Sequence, residues 1–338
     1  MSRTPLAGPL AVSLGDPAGI GPELIAAAWA ARNQADLPPF FAVGGARLLA
    51  AAAQSRGIDL PVTVIDSPAD AARVFAHALP VLGAADMDWR PGQPDREGAE
   101  LALDSLSLAT GLAVSGDACG LVTAPVSKAR LSEAGFTHPG QTEFVATACG
   151  IDPGDAVMML AGPSLRTVPI TIHMALADVP LRLTSELIVR RGRTTALALT
   201  RDFGLANPRL AFAGLNPHAG EDGRMGDEEA RIIAPALEAL RAEGFDAQGP
   251  FPGDALFAPR TRASYDVALC MYHDQALIPV KALDFDEGVN VTLGLPVIRT
   301  SPDHGTAFTI AGRNLAHPGA TLAAIRMAGA MAIRRAAR

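Results

Sequence analysis

Three of the seven histidines share one setting: His173 closes the apolar run "TVPITIH", His218 lies in "GLNPHAGE" just past a run ending at Leu215, and His273 follows "DVALCMY". Imidazole ligates divalent metals, and a catalytic site of the kind zinc prefers takes three protein donors and keeps a position open for substrate. If the runs are strands, all three histidines fall beyond strand carboxyl ends, where ligands sit in open α/β sheets. Each histidine alone is equally compatible with an imidazole held by protein partners; the shared setting is what favours a metal. Asp274, next to His273, is a candidate additional ligand, ligand-orienting carboxylate or general base.

A second group is made for anions. Lys281, Asn290 and Arg299 follow His273 within one short region, the last in "LPVIRTSPDHG". Cations inside apolar segments cost free energy unless paired. Their partner is either a phosphate or carboxylate ligand or one of Asp284, Asp286 and Glu287. Lys128 in "TAPVSKARL" is a further candidate for the same pocket, and with Asp274 it makes the pair of candidate catalytic residues. Two glycine-rich loops complete the set. "SLGDPAGIGPE" (13–23) links an expected strand to an expected helix, a place where backbone N–H groups can cradle an anion. "SPDHGTAFTIAG" (301–312) gathers Asp303, His304, Gly305 and Thr306 in a polar turn. Neither is G-x-G-x-x-G, no G-x-x-x-x-G-K-[ST] occurs, and by composition either is also a plain turn.

The elements that must position these residues alternate along the chain. Strands are expected at 10–15, 40–45, 61–66, 119–126, 157–160, 167–174, 209–215, 266–272 and 289–294. Helices are expected at about 22–32, 45–56, 95–115, 127–135, 142–149, 184–203, 227–244 and 319–337. Such alternation means an α/β protein with a largely parallel sheet. The runs 157–160 and 167–174, joined by "AGPSLR", read as an antiparallel hairpin, which makes the sheet mixed.

Bulk properties narrow the classes. With 338 residues, 49% hydrophobic and 19% charged, the chain buries a large core and suits two lobes. The net charge of −7, without basic residues interleaved with aromatics, argues against nucleic acid as partner. No apolar run spans a bilayer, and Pro5 and Pro9 interrupt the N-terminal run, so no membrane partner and a cytoplasmic location are expected. Cys119, Cys149 and Cys270 are dispersed, never C-x-x-C, and fit a reducing compartment as small buried hydrophobes.

Taken together, "GDPAGIGPE", "VTAPVSKARLSEAG", "TEF" at 142–144, "TIHMALADVP", "LNPHAGE", "MYHDQ" and "VNVTLGLPVIRTSPDHGTA" resemble the 4-hydroxythreonine-4-phosphate dehydrogenase family over nearly the whole chain. The resemblance implies a two-domain α/β/α sandwich like the isocitrate and isopropylmalate dehydrogenases. It implies a discontinuous cofactor domain near 1–128 plus 278–338, and a metal, substrate and dimerisation domain near 129–277. It further implies NAD or NADP, bound at a loop like 301–312 with Asp303, His304, Gly305 and Thr306, and a divalent metal (zinc, magnesium or cobalt) on His173, His218 and His273. Contacts to a small phosphorylated hydroxy amino acid fall to Gln141, Thr142, Lys281, Asn290 and Arg299. The implied assembly is a homodimer drawing metal ligands from both subunits. The implied reaction oxidises the C3 hydroxyl of 4-phosphooxy-threonine to a ketone, after which the β-keto acid decarboxylates to 3-amino-2-oxopropyl phosphate in pyridoxal phosphate synthesis. One residue departs from the pattern: Gln141 in "HPGQTEF" stands where the family typically has a histidine that touches substrate. Related enzymes of the family act on phosphorylated sugar acids or a dihydrodiol dicarboxylate. A metal-dependent hydrolase or lyase without nicotinamide, and a noncatalytic binding protein, are the rival readings.

Overall fold

The computed structural model describes residues 8–337, so Pro5 of the N-terminal reading and the final Arg338 lie outside the described residues. In chain order the strands are β1 Leu10–Ser13, β2 Phe40–Val43, β3 Val62–Ile65, β4 Leu79–Leu82, β5 Gly120–Thr123, β6 Val157–Ala161, β7 Arg166–Pro169, β8 Arg209–Ala213, β9 Asp246–Phe251, β10 Val267–Cys270, β11 Val289–Leu293 and β12 Arg299–Pro302. All nine expected strands form, most of them shortened at their carboxyl ends. Three others escape a reading by apolar runs. β4 and β9 contain Pro80 and Pro250, and β12 is the polar "RTSP", buried at all four positions.

The chain divides into two units, Met1–Pro153 with Leu295–Arg338, and Gly154–Gly294. In the first, strands pair in the order β3-β4-β2-β1-β5-β12, all parallel. In the second the order is β11-β6-β7-β10-β8-β9. There β6 is antiparallel to both β11 and β7, the expected hairpin, and the remaining pairs are parallel. The fold is thus α/β with mixed, mostly parallel pairing. Packing divides the chain differently from the expected bounds near 128 and 278. The helix Gln141–Ala148 joins the first unit, its Phe144 packed against Leu106, Leu131 and Phe136. The helix His273–Asp284 joins the second, burying Ala276, Leu277 and Val280 against Leu160, Ala268 and Cys270.

That second helix was not among those expected from sequence, because Pro279 interrupts it. Proline removes one i→i−4 bond and clashes with the preceding turn; burial of three apolar side chains outweighs that loss. In the first unit one hydroxyl fixes the start of the glycine-rich loop after β1. Ser105 on the helix Arg96–Ser115 accepts from Leu14 N (2.8 Å) and donates to Val43 O (2.7 Å). Ser105→Ala leaves that buried N–H without its acceptor, at a cost of about 1–3 kcal/mol. A melting temperature several degrees lower is expected, and an unchanged one would refute this bridging role.

Candidate active site

In the second unit, the pairing of β7 with β10 continues past both strands and sets two imidazoles side by side. Ile170 N donates to Cys270 O (2.7 Å), and the Thr171 hydroxyl donates to Met271 O (2.7 Å). Two residues further on each side stand His173 and His273, with ring centroids 5.8 Å apart. His173 does not close its strand, as the sequence suggests; β7 ends at Pro169 and His173 sits in a bend at φ +51°. His273 opens its helix, and its Nδ1 lies 2.7 Å from Asp274 Oδ1. A carboxylate on Nδ1 favours the tautomer protonated there, which would leave the Nε2 lone pair for a ligand. Gln275 completes the junction: its Oε1 accepts from Met271 N (2.7 Å) and its Nε2 donates to Gly214 O (2.8 Å), tying the His-Asp turn to the end of β8. Sequence reasoning passed over Gln275; an amide following His-Asp where a strand meets a helix was the available signal.

His218 lies beyond β8, which ends at Ala213, in a turn of unusual backbone. His218, Ala219, Gly220, Glu221 and Asp222 all have positive φ, between 44° and 82°. For residues with a Cβ this costs roughly 1–2 kcal/mol each, and such strain gathers at functional sites. Two cavities meet here. One of about 430 Å³ is lined by Thr171, His173, Tyr272, His273 and Asp274, and one of about 530 Å³ by Asn216, His218, Tyr272, Asp274 and Gln275. Tyr272 and Asp274 belong to both. Among the described residues no three His, Cys, Asp or Glu side chains converge as a metal site. What the structure brings together is the pair His173 and His273, with Asp274 on Nδ1 of His273 and His218 on the adjoining cavity. Two further candidates lie in this unit: Lys281 is exposed two turns along the helix from His273, and Asn290 is half-buried on β11, its Oδ1 buried without a hydrogen bond. Lys281 is thus not a cation inside an apolar segment, because the helix turns it outward.

The first unit holds the other anion groups. Arg299 opens β12 at 4% exposure; Nη2 donates to the Thr123 hydroxyl (2.7 Å) and Nη1 to that of Thr142 (3.4 Å). Burial pushes its pKa down to about 10, opposed by the nearby Glu143 carboxylate, so it is a cation at neutral pH. Part of its charge is set against Glu143, a carboxylate not among those suggested by sequence. Gln141 opens the helix Gln141–Ala148; its Nε2 donates to Ala124 O (3.3 Å), while Oε1 is buried without a partner. Lys128 is exposed at the start of the helix Lys128–Glu133, with Nζ near Gly140.

The two glycine-rich loops also belong to this unit, and only one of them resembles a ligand cradle. In 13–23 the amides of Asp16, Ala18, Gly19 and Ile20 already donate to protein oxygens, and Asp16 and Glu23 are buried carboxylates with pKa values raised by burial. Those four amides are not open to an anion, and the two buried carboxylates oppose one. The loop instead braces 301–312: Ile20 N donates to Thr306 O (3.0 Å), a Cβ on Gly19 would stand 2.8 Å from that oxygen, and Glu23 accepts from Gly312 N (3.2 Å). Within the braced loop, His304 Nδ1 contacts Gly305 O (3.1 Å) and Nε2 is buried without a partner.

Burial holds His304 below its ordinary pKa of 6.5. Between 6.5 and that lower value the unfolded chain binds a proton that the folded one does not, so stability is present above pH 6.5 and falls below it. His304→Gln is expected to flatten the fall in melting temperature on acidification; an identical pH profile would refute it.

The sequence pattern of the family described as "Pyridoxal phosphate biosynthetic protein PdxA" matches residues 36–328. The chain belongs to this family. It is 61% identical over 328 residues to a 4-hydroxythreonine-4-phosphate dehydrogenase of Erythrobacter litoralis, covering 97% of this chain and 98% of that one. The crystal structure of 4-hydroxythreonine-4-phosphate dehydrogenase from Klebsiella pneumoniae aligns at TM-score 0.84 and 36% identity, covering 96% and 100% of the two chains. A terephthalate 1,2-cis-dihydrodiol dehydrogenase from Burkholderia xenovorans aligns at TM-score 0.65 and 30% identity, covering 96% and 98%. As a PdxA-family member the chain is an enzyme, an oxidoreductase of vitamin B6 biosynthesis. Among the described residues, no helix is long and apolar enough to cross a membrane.

Proposed function

We propose that this PdxA-family chain oxidises 4-phosphooxy-L-threonine with NAD or NADP and a divalent metal, and that the 3-keto acid formed loses carbon dioxide to give 3-amino-2-oxopropyl phosphate. The observation that carries the reading is the His173–His273 pair with Asp274 on Nδ1 of His273. Neutral imidazoles suit zinc or cobalt better than magnesium, which prefers oxygen. Bound there, a divalent cation supplies Lewis acidity for negative charge on oxygen during oxidation and decarboxylation. His173, His218 and His273 hold it; Asp274 fixes the tautomer of His273 and, with Lys128, handles protons.

Arg299, Thr142, Gln141, Lys281 and Asn290 bind and orient the anionic substrate so that its C3 hydrogen faces the nicotinamide. Asp303, His304, Gly305 and Thr306 receive the cofactor, a role supported by the unpartnered Nε2 of His304. The first unit, which carries 301–312, is the cofactor domain, and the second, which carries the three histidines, is the metal and dimerisation domain, with the bounds expected near 128 and 278 moved to 153 and 294. The enzyme works in the cytoplasm as a homodimer with its active site at the interface. Exposed Leu176, Leu181, Ile278 and Phe285, each more than 60% accessible in the second unit, support a buried contact there.

A second reading is a paralogue that oxidises another hydroxy acid, favoured by the likeness to the Burkholderia xenovorans enzyme and by Gln141, which lacks the charge of a protonated histidine. The test is NAD(P)H formation with 4-phosphooxy-threonine, a phosphorylated sugar acid and a dihydrodiol carboxylate, with and without added Zn²⁺, Co²⁺ or Mg²⁺. Turnover of another substrate alone would establish the second reading. Metal-dependent turnover without NAD(P)H formation would indicate a hydrolase or lyase.

A further inference from the structure

We infer that Glu229 is a positioning residue for His218, holding the turn 218–222 in the shape a bound divalent cation requires; the inference rests on the metal reading above. Glu229 is 6% exposed and aims both oxygens at Asn216, two residues before His218. Its Oε1 accepts from Asn216 N (2.7 Å) and its Oε2 from Asn216 Nδ2 (3.0 Å), while Glu228 Oε2 accepts the other amide hydrogen (2.7 Å).

The backbone of the turn packs directly onto the same carboxylate. A Cβ on Gly220 would stand 2.7 Å from Glu229 Oε2, and one on Gly214 would stand 3.0 Å from Oε1. Glycines on both sides of His218 thus leave room for the carboxylate and no more. Backbone bonds at the ends of the turn run from Ala219 N to Asn216 O and Met225 N to Gly220 O, both 3.1 Å, and from Arg224 N to Glu221 O, 3.2 Å. A run of six positive-φ residues, 218–223, persists only where its surroundings over-determine it, and Glu229 supplies the tie at the stem. Glu229 itself opens a single π-helical turn, Glu229–Ile233, a distortion common beside functional groups.

A carboxylate is needed because it only accepts. Glutamine has the same shape but must turn an NH₂ toward one of the two Asn216 donors, placing donor against donor. Glu229→Gln therefore loosens the stem without emptying the space.

The experiment measures Co²⁺ affinity by calorimetry, NADH affinity by fluorescence and melting temperature in the full chain carrying Glu229→Gln, Gly220→Ala, both, or His218→Ala. Both single variants are expected to weaken Co²⁺ roughly 10–100-fold, the range for groups supporting a ligand, and to leave NADH affinity unchanged. The double variant should bind Co²⁺ about as well as the weaker single one, since both act on one contact. Unchanged Co²⁺ affinity in the folded single variants, with His218→Ala losing it, would overturn the role of Glu229 and leave the metal reading standing. Co²⁺ affinity indifferent to His218→Ala would instead overturn the metal reading. Equal losses of Co²⁺ and NADH binding would also overturn the inference, because general loosening has that signature. Should Glu229→Gln fail to fold, Gly220→Ala decides alone.

Discussion

His273→Ala is expected to keep its fold, lose nearly all bound metal and fall at least about a hundredfold in turnover, because a direct ligand is worth more than the roughly 10–100-fold of its outer partners. Full metal occupancy in the folded variant would end the assignment. The fold should survive because His273 is half-exposed at the first position of its helix, whose apolar anchors Ala276, Leu277 and Val280 lie further along. The geometry also specifies which inactive chains can rescue each other. His173 and His273 stand together on one chain, while His218 faces the adjoining cavity. If the partner subunit completes the site, it does so with His218. Mixing His218→Ala chains with His273→Ala chains should restore about a quarter of the parent activity, since half the dimers of a two-fold assembly are mixed and each holds one intact site. Mixing His173→Ala with His273→Ala should restore none. The opposite pattern would refute this division of ligands.

Arg299→Lys is expected to raise the Michaelis constant for the phosphorylated substrate about thirtyfold or more, the lower end of the cost of truncating a buried, hydrogen-bonded charge, with a smaller effect on turnover. The guanidinium reaches Thr123 and Thr142 at once through separate nitrogens, a fork that a single ammonium on a flexible stem does not reproduce. Arg299→Leu removes a buried cation set against Glu143, so it should lose stability as well as binding. A Michaelis constant unchanged in Arg299→Lys would mark the arginine as purely structural and return the anion site to Lys281 and Lys128.

Departures of the structure from the sequence expectations have identifiable causes. His173, His218 and His273 all lie beyond strand carboxyl ends, as expected, but several residues further on than the apolar runs suggest, since β7, β8 and β10 end at Pro169, Ala213 and Cys270. The helix after His273 was hidden by Pro279, which propensity penalises and which buried neighbours tolerate. The loop 13–23 looked like an anion cradle because its glycines precede a helix, yet its amides are spent on Asp16, Pro125 and Thr306.

The sequence by itself determined the α/β class, the order of most elements, the hairpin of β6 and β7, and the roster of groups able to do chemistry, because apolar periodicity and residue type are local properties written along the chain. Tertiary structure alone decided which of these groups meet. Extension of the β7 and β10 pairing sets His173 beside His273, though one hundred residues separate them. Burial under β5 and the helix Gln141–Ala148 gives Arg299 two hydroxyls and a neighbouring carboxylate. Packing against Glu229 supports the left-handed turn that carries His218. Each is a contact between segments distant in sequence, and such contacts form only where burial elsewhere has already met the entropy of closing the long loops between them.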